Sequence, residues 1–429
     1  MSSSTLTSGA DFPAGTLFVG IDVAKGRHCG RAISNRDSRE SAPLFFGNSR
    51  EGLELLKRHI SEWQRSFGCD VVVIGMEPTA GYWMPMFTCL EEWGYDVRLV
   101  SSLKVRRSKD IRDNSPLKSD PKDALVIADL VRQGICLDYR GHDESVNEVR
   151  VLVKHAEDLE KTASVYKNHL EHLMSVHFPE IGEVFKDMGS TTMLSFLREC
   201  PFPKDVLDVG LEKVGQLLWD ASRGRMGPGK AKRLVELARV TIGLREVGSA
   251  RRLELYNTLN LLEQVESGLA SMKELLSAVL ETMPQYEILR SIKGIGLMTA
   301  ASIIAALGDL SRYGSARQVL KMVGLNLYRL SSGNRRGVDK ISRRGMSLVR
   351  KHLFMAALSA SRTDGVFGEK YRSMTAKGMK PKKALVAIMR KLLKLAYALV
   401  RDNRMFEENY SPQRRAERDA VVIKRAEAA

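Results

Sequence analysis

"LFVGIDVAKGRH", residues 17–28, decides how the first third of this 429-residue chain folds. Leu17 to Ile21 are large, β-branched or aromatic except for one glycine, the composition of a strand buried on both faces. Asp22 then stands among residues that favour burial, where a lone charged carboxylate is costly. It must be paired, hydrogen-bonded or bound to a cation.

The segments that follow supply partners for that strand. "HCGRAIS" (28–34) and "APLFFG" (42–47) read as antiparallel neighbours, and "SREGLELLKRHISEWQRSF" (49–67) has helical spacing with Ser49 as its N-cap. "DVVVIGME" (70–77) is a second core strand. "PTAGYWMPMFTCLEEWG" (78–94) opens a helix at its prolines and glycine and closes it at Gly94, and "YDVRLVS" (95–101) is a third strand of parallel type. This order predicts an α/β domain with a mixed sheet covered by helices.

Further acids fall at telling places. Glu77 ends the second core strand, at the carboxyl edge where open α/β sheets place ligands. "NSPLKSDPKDALVIADL" (114–130) puts Asp120 and Asp123 three apart on one helix face. As a pair they also suit a helix start, with Asp120 as N-cap, Pro121 first in the helix and Asp123 favoured by the dipole. That reading leaves Asp22 and Glu77 unexplained. Four carboxylates on one edge cannot all stay ionised without a cation, and all-oxygen ligands favour Mg²⁺ or Mn²⁺. Two such ions suit in-line displacement at a phosphodiester.

The bulk composition agrees with a polyanionic partner. The formal net charge is +16 and the pI about 9.6, with 44% hydrophobic and 28% charged residues, which is globular. The longest charge-free stretch, Gly294 to Gly308, is too short to span a membrane. The opening "MSSSTLTSGADFPAG" lacks the charged and apolar regions of a signal peptide, so a cytoplasmic, nucleoid-associated protein is expected. Cys29, Cys69, Cys89, Cys136 and Cys200 show no paired spacing and read as reduced, neither zinc ligands nor a disulfide framework.

From about 143 to 287 the strand signals stop. Val149, Leu152, Ala156, Leu159, Ala163, Tyr166, Leu170 and Leu173 alternate steps of three and four, as do Val265, Leu269, Met272, Leu276, Val279 and Met283. Two long helices are predicted, either packed on each other within one subunit or forming a dimerising coiled coil, with a small helical insert between them. Residues 1–16 read as a lead-in, 17–142 as the α/β domain, 143–287 as this helical region, 288–405 as an all-α C-terminal domain and 406–429 as a polar tail.

The C-terminal domain carries the basic charge. Eleven Lys or Arg lie between Arg312 and Lys351 against one acid, Asp339, a surface that would repel itself without a phosphate partner. "LRSIKGIGLMTAASIIAALGD" (289–309) contains a helix-hairpin-helix-like turn in which Lys293, Gly294 and Gly296 would face a phosphate. In "MVGLNLYRLSSGNRRGVDKISRRG" (322–345), Arg335, Arg336, Lys340, Arg343 and Arg344 are candidate phosphate clamps. Ser331 and Ser332 sit among them, and on chemistry alone a Ser-Gly turn touching a backbone phosphate is favoured over a nucleophile.

"GIDVAKGRH", "GMEPTAGYW" and "LKSDPKDALVIADL" together resemble the three blocks of the DEDD-type transposases of insertion sequences. The resemblance covers about Leu17 to Arg401 and implies a ribonuclease-H-like N-terminal domain related to Holliday-junction resolvases. Carried onto this sequence, the family's metal ligands fall on Asp22, Glu77, Asp120 and Asp123, and its serine nucleophile on Ser332, with Ser331 as the alternative. A proline common after "GL" in the family is absent from "GLNLYRLSSGNRRG". The resemblance further implies donor and target double-stranded DNA, a structured bridge RNA, and dimers or tetramers in which one protomer's serine completes another's acidic site. Two other functions share parts of the pattern: a junction-resolving endonuclease that uses water, and a non-catalytic nucleic-acid-binding protein.

Overall fold

β1 (Thr16–Asp22) runs through the centre of the first sheet with every residue but Asp22 fully buried. A computed structural model describes residues 12–78, 81–112, 119–136, 144–244, 247–329, 337 and 339–408. β2 (Arg27–Ser34) and β3 (Leu44–Gly47) follow, then α1 (Arg50–Phe67), β4 (Val71–Met76), α2 (Trp83–Glu92), β5 (Asp96–Leu99), α3 (Ser102–Arg112) and α4 (Asp120–Arg132). Among the described residues the strand order is β3-β2-β1-β4-β5. β1 is antiparallel to β2 and parallel to β4, and β4 is parallel to β5. The mixed sheet is the one its strand order predicts.

Strand alternation assigns each face a helix layer. Leu17, Val19, Ile21, Ile74 and Met76 pack with α1 and α2, while Phe18 and Val73 pack with α4. Gly20 and Gly75, paired in register across β1 and β4, also lie on the α4 side. A Cβ on Gly20 would fall 2.0 Å from the Ala124 carbonyl oxygen and 2.4 Å from the Ala128 nitrogen, and one on Gly75 would fall 2.3 Å from Val131 Cγ2. The two glycines form a trough into which α4 settles.

The local caps follow the sequence. The Ser49 hydroxyl accepts from the Gly52 N–H at the start of α1, and Gly68 closes that helix with φ 60°. Gly94, with φ 85°, donates to the Glu91 carbonyl just past α2.

The chain divides into two units, Met1–Gly141 and His142–Ala429. The second opens with α5 (Glu144–His177), followed by α6 (Thr191–Glu199), α7 (Pro203–Val209), α8 (Leu211–Ser222), α9 (Pro228–Val240) and α10 (Ser249–Glu281). α5 and α10 pack on each other within the chain, bridged by Lys167–Glu266 and His169–Glu254. This is the intramolecular arrangement of the two seams. One core joins α6 to α9 to the facing parts of the long helices.

The other core of this unit is built by α11 (Pro284–Ser291), α12 (Leu297–Leu307), α13 (Ala316–Val323), α14 (Ser347–Arg362), α15 (Val366–Ala376) and α16 (Pro381–Arg401), with the first turns of α5. Between α13 and α14 the chain forms a short hairpin, β6 (Leu327–Tyr328) against β7 (Lys340–Ile341), which interrupts the helices.

Candidate active site

Alternation brings two acids to one edge of the sheet. Phe18, Gly20 and Asp22 share a face of β1, and Val73, Gly75 and Glu77 continue the same face of β4. Because Gly20 lets Ala124 and Ala128 of α4 approach the strand, the turn of α4 just before them carries Asp120 and Asp123 toward that edge. The four predicted acids thus come from the ends of three elements.

Asp22 feels the charge of the other three. The Asp22 carboxyl is pushed up to about 6, first by burial and then by Asp123, Asp120 and Glu77, with Lys109 opposing. Asp123 is the most buried of the four, 4% exposed. One of its oxygens pairs with the Lys109 ammonium on α3, and Oδ1 has no hydrogen-bond partner. Ser119, not Asp120, occupies the N-cap position of α4, and its side chain makes no capping bond. Helix capping therefore does not account for Asp120.

Lys109 is the neighbour of the acids that sequence reading missed. Its signal was faint: it lies four residues after Val105, a buried residue of a helix rich in lysine and arginine. Cys29, read as an ordinary reduced cysteine, pairs in register with Asp22, and burial together with Asp120 and Asp22 pushes its thiol up to about 11. It stays protonated beside the acids. Among the described residues no group of three His, Cys, Asp or Glu side chains is spaced to hold a metal ion as it stands. The donor set is nonetheless all carboxylate, crowded, and contains one buried oxygen without a partner.

In the second unit the candidate residues occupy separate places. Gly294, with φ 95°, turns between α11 and α12, and a Cβ there would sit 2.8 Å from the Ala356 carbonyl oxygen, so it packs against α14. Lys293 pairs with Glu408 at 2.6 Å, and Gly296 is the N-cap residue of α12. Ser331, Ser332, Arg335 and Arg336 lie outside the described residues. The stem beside them is well tied: Arg329 forms a two-bond fork with Asp339, and Ser342 hydroxyl bonds Asn326. Lys340 is on β7. Arg343 has φ 54° and donates its N–H to the Gly324 carbonyl, and Arg350 braces the same turn through the Val323 and Gly345 carbonyls. Arg344 follows in that turn.

Comparison with known proteins gives two family matches. Residues 19–179 match the DEDD-type IS110 model, described as transposase, and residues 286–372 match the model described as the transposase IS116/IS110/IS902 family. The first match spans all four acids. The chain is 23% identical over 399 residues to an uncharacterized 43.6 kDa protein of insertion element IS110 from Streptomyces coelicolor, covering 91% of this chain and 95% of that protein. It is 25% identical over 339 residues to the mini-circle putative transposase for IS117 of the same organism, covering 76% and 80%. A pilin gene-inverting protein of Moraxella bovis is 32% identical over 137 residues, 32% of this chain and 42% of that protein.

Proposed function

This chain belongs to the DEDD-type transposases of insertion sequences, enzymes of DNA strand transfer, and from that premise we propose that it recombines DNA with two centres, an acidic metal site and a serine nucleophile. The observation that supports this reading is that Glu77, Asp120 and Asp123 all lie close enough to Asp22 to raise its carboxyl. Those carboxylates would hold Mg²⁺, or Mn²⁺ in its place; hard oxygen donors, net negative charge and the unpartnered Asp123 Oδ1 suit such an ion. When bound, the ion supplies electrostatic stabilisation to charge developing on a phosphate.

Ser332, with Ser331 as the alternative, attacks the scissile phosphorus. The serine oxygen–phosphorus bond forms as the bond to the leaving strand breaks, and the serine proton ends on the hydroxyl of that strand. Lys340, Arg343 and Arg344, with Arg335 and Arg336, hold the phosphate while charge develops. Lys293, Gly294 and Gly296 contribute a backbone contact to nucleic acid. Donor and target duplexes are aligned by a structured bridge RNA, so base pairing reads sequence and side chains read backbone and shape. The assembly is a dimer or tetramer in which sites are shared. The gene inversion named for the Moraxella relative is a reaction of this class.

The test is to trap the cleaved intermediate with Mg²⁺ present and map the attachment site by mass spectrometry. A DNA adduct on the peptide holding Ser332, lost in Ser332→Ala, is expected. An adduct that survives Ser332→Ala and disappears in Ser331→Ala moves the nucleophile by one residue. Active cleavage without any adduct assigns the attack to water.

A further inference from the structure

The most one-sided charge in the chain is not the loop around the serines. From Lys370 to Arg401 there are ten Lys or Arg and no Asp or Glu. The second family match stops at residue 372, before α16 begins.

α16 sorts this charge by helical periodicity. At about 100° per residue, Lys383, Arg390, Lys391 and Lys394 fall within an arc of roughly 100°, and Arg401 returns to the angle of Lys383. The opposite face, including Leu385, Ile388, Leu392 and Leu399, is buried in the core. Lys383 to Lys394 spans ~16 Å of helix, about the rise of five base pairs.

The stripe has neighbours of its own sign and almost none of the other. Lys391 is half-buried where α16 meets α15, and its ammonium faces those of Lys370 on α15 and Lys394 one turn along. Burial and those two ammoniums hold the Lys391 side chain down to about 8. Arg390 Nε is buried without a partner. No described acid forms an ion pair with Lys370, Lys391 or Lys394. At the other end, Lys383 is close enough to Asp339 to help hold that carboxyl below its ordinary range, after the larger effect of Arg329. The stripe therefore begins beside the hairpin stem.

We propose that the α16 stripe, Lys383, Arg390, Lys391 and Lys394 with Lys370 beside it, is a backbone-phosphate site for double-stranded DNA, whose rise over about five base pairs the row matches, running away from the β6–β7 hairpin. Like charges packed together without acids cost stability in the free protein, and a row of phosphates supplies the missing countercharge. The site deepens the strand-transfer reading by stating where nucleic acid is gripped outside the reacting centre. Its contacts are with backbone rather than base edges, so it adds affinity without sequence preference.

Anisotropy titrations of the full-length protein against a 30-base-pair duplex of arbitrary sequence and against a single-stranded RNA of equal charge test this over a salt series. Lys370→Gln/Lys391→Gln/Lys394→Gln should weaken binding about tenfold or more near physiological salt and flatten the log–log salt slope by roughly two to three for duplex DNA. Lys204→Gln/Lys213→Gln/Lys232→Gln, which removes equal charge from exposed positions in α7 to α9, should change neither. The charge-conserving Lys→Arg triple should retain binding. If the Gln triple fails to fold, Lys370→Gln/Lys394→Gln, confined to exposed positions, reads the same slope. Loss for the duplex is the expected result, and loss for RNA alone overturns the assignment to DNA. A stripe variant that matches the control with both probes overturns the site, while failure of the unsubstituted protein to bind either probe in a salt-dependent way overturns the nucleic-acid reading itself.

Discussion

Lys109 of α3 closes an ion pair on Asp123, the most buried of the four acids, and leaves the other oxygen of that carboxylate without a partner. The ammonium supplies the positive charge that a carboxylate at this depth needs. Lys109→Met should therefore destabilise the metal-free protein by roughly 2–4 kcal/mol, toward the lower part of the range for broken buried pairs because 24% of the lysine side chain remains exposed. Mg²⁺ should recover part of that loss and raise the melting temperature of the variant more than that of the unsubstituted protein. Equal shifts on adding Mg²⁺ would separate Lys109 from the metal site.

Alanine at Asp22, Glu77, Asp120 or Asp123 should abolish strand cleavage while circular dichroism and gel filtration remain native. Removing Asp22, Glu77 or Asp120 relieves repulsion, so a loss of activity without a loss of fold is the expected pattern, whereas Asp123→Ala also leaves Lys109 without its partner and should lower the melting temperature. Full recombination by Asp120→Ala or Asp123→Ala with Mg²⁺ present would eliminate the metal-site assignment.

The proton affinity of Asp22 predicts a pH signature of the metal-free protein. Its carboxyl sits at about 6, above its ordinary 3.8, because burial and the other acids disfavour the charged form. Folding thus favours the protonated acid. The stabilisation is complete below about pH 4 and is lost as pH rises through about 6. The difference in melting temperature between the unsubstituted protein and Asp22→Asn should change across that window. Parallel profiles from pH 4 to 7 would show that Asp22 is not crowded by charge.

Gly20 positions the site from a distance. A methyl group at Gly20 meets backbone atoms of α4 at 2.0 and 2.4 Å, so Gly20→Ala must push the helix off the sheet and carry Asp120 and Asp123 with it. Overpacking of this kind typically costs about 1–3 kcal/mol. Both a lower melting temperature and slower cleavage are expected. Gly30→Ala on β2, whose new methyl would sit 3.5 Å from Phe46 in ordinary contact, serves as the control and should be near neutral.

Much of this site is legible before folding because it depends on short-range patterns. The alternation in "LFVGID" and "VVVIGME" fixes which side of each strand Asp22 and Glu77 occupy, and three-residue spacing fixes Asp120 and Asp123. Ser49 and Gly68 end α1 for reasons local to a few residues. Lys109 was not legible in the same way. Its partner is fourteen positions away on another helix, and its own helix offers several cations of equal appearance. Nor does periodicity separate two seams that pack within a chain from two that pair between chains; only the fold places α5 against α10. The α16 stripe was hidden differently, since its cations become a row only once the buried face of the helix is known.

The final prediction concerns how the two centres cooperate. The acids belong to the first unit of the chain and Ser332 to the second, and the long helices α5 and α10 lie between them in sequence. If one protomer's serine completes another's acidic site, a mixed assembly of two inactive proteins contains intact composite sites. Asp123→Ala supplies a sound serine and a broken acidic centre, and Ser332→Ala supplies the reverse. Each alone should be inactive, and mixing them before DNA is added should restore partial recombination. The covalent adduct in the mixture should reside only on the Asp123→Ala chain, which can be distinguished by an affinity tag of different mass. Activity should rise with the fraction of mixed assemblies as subunits exchange. No recovery after verified exchange would place both centres in one protomer, and an adduct on the Ser332→Ala chain would assign the nucleophile to another residue.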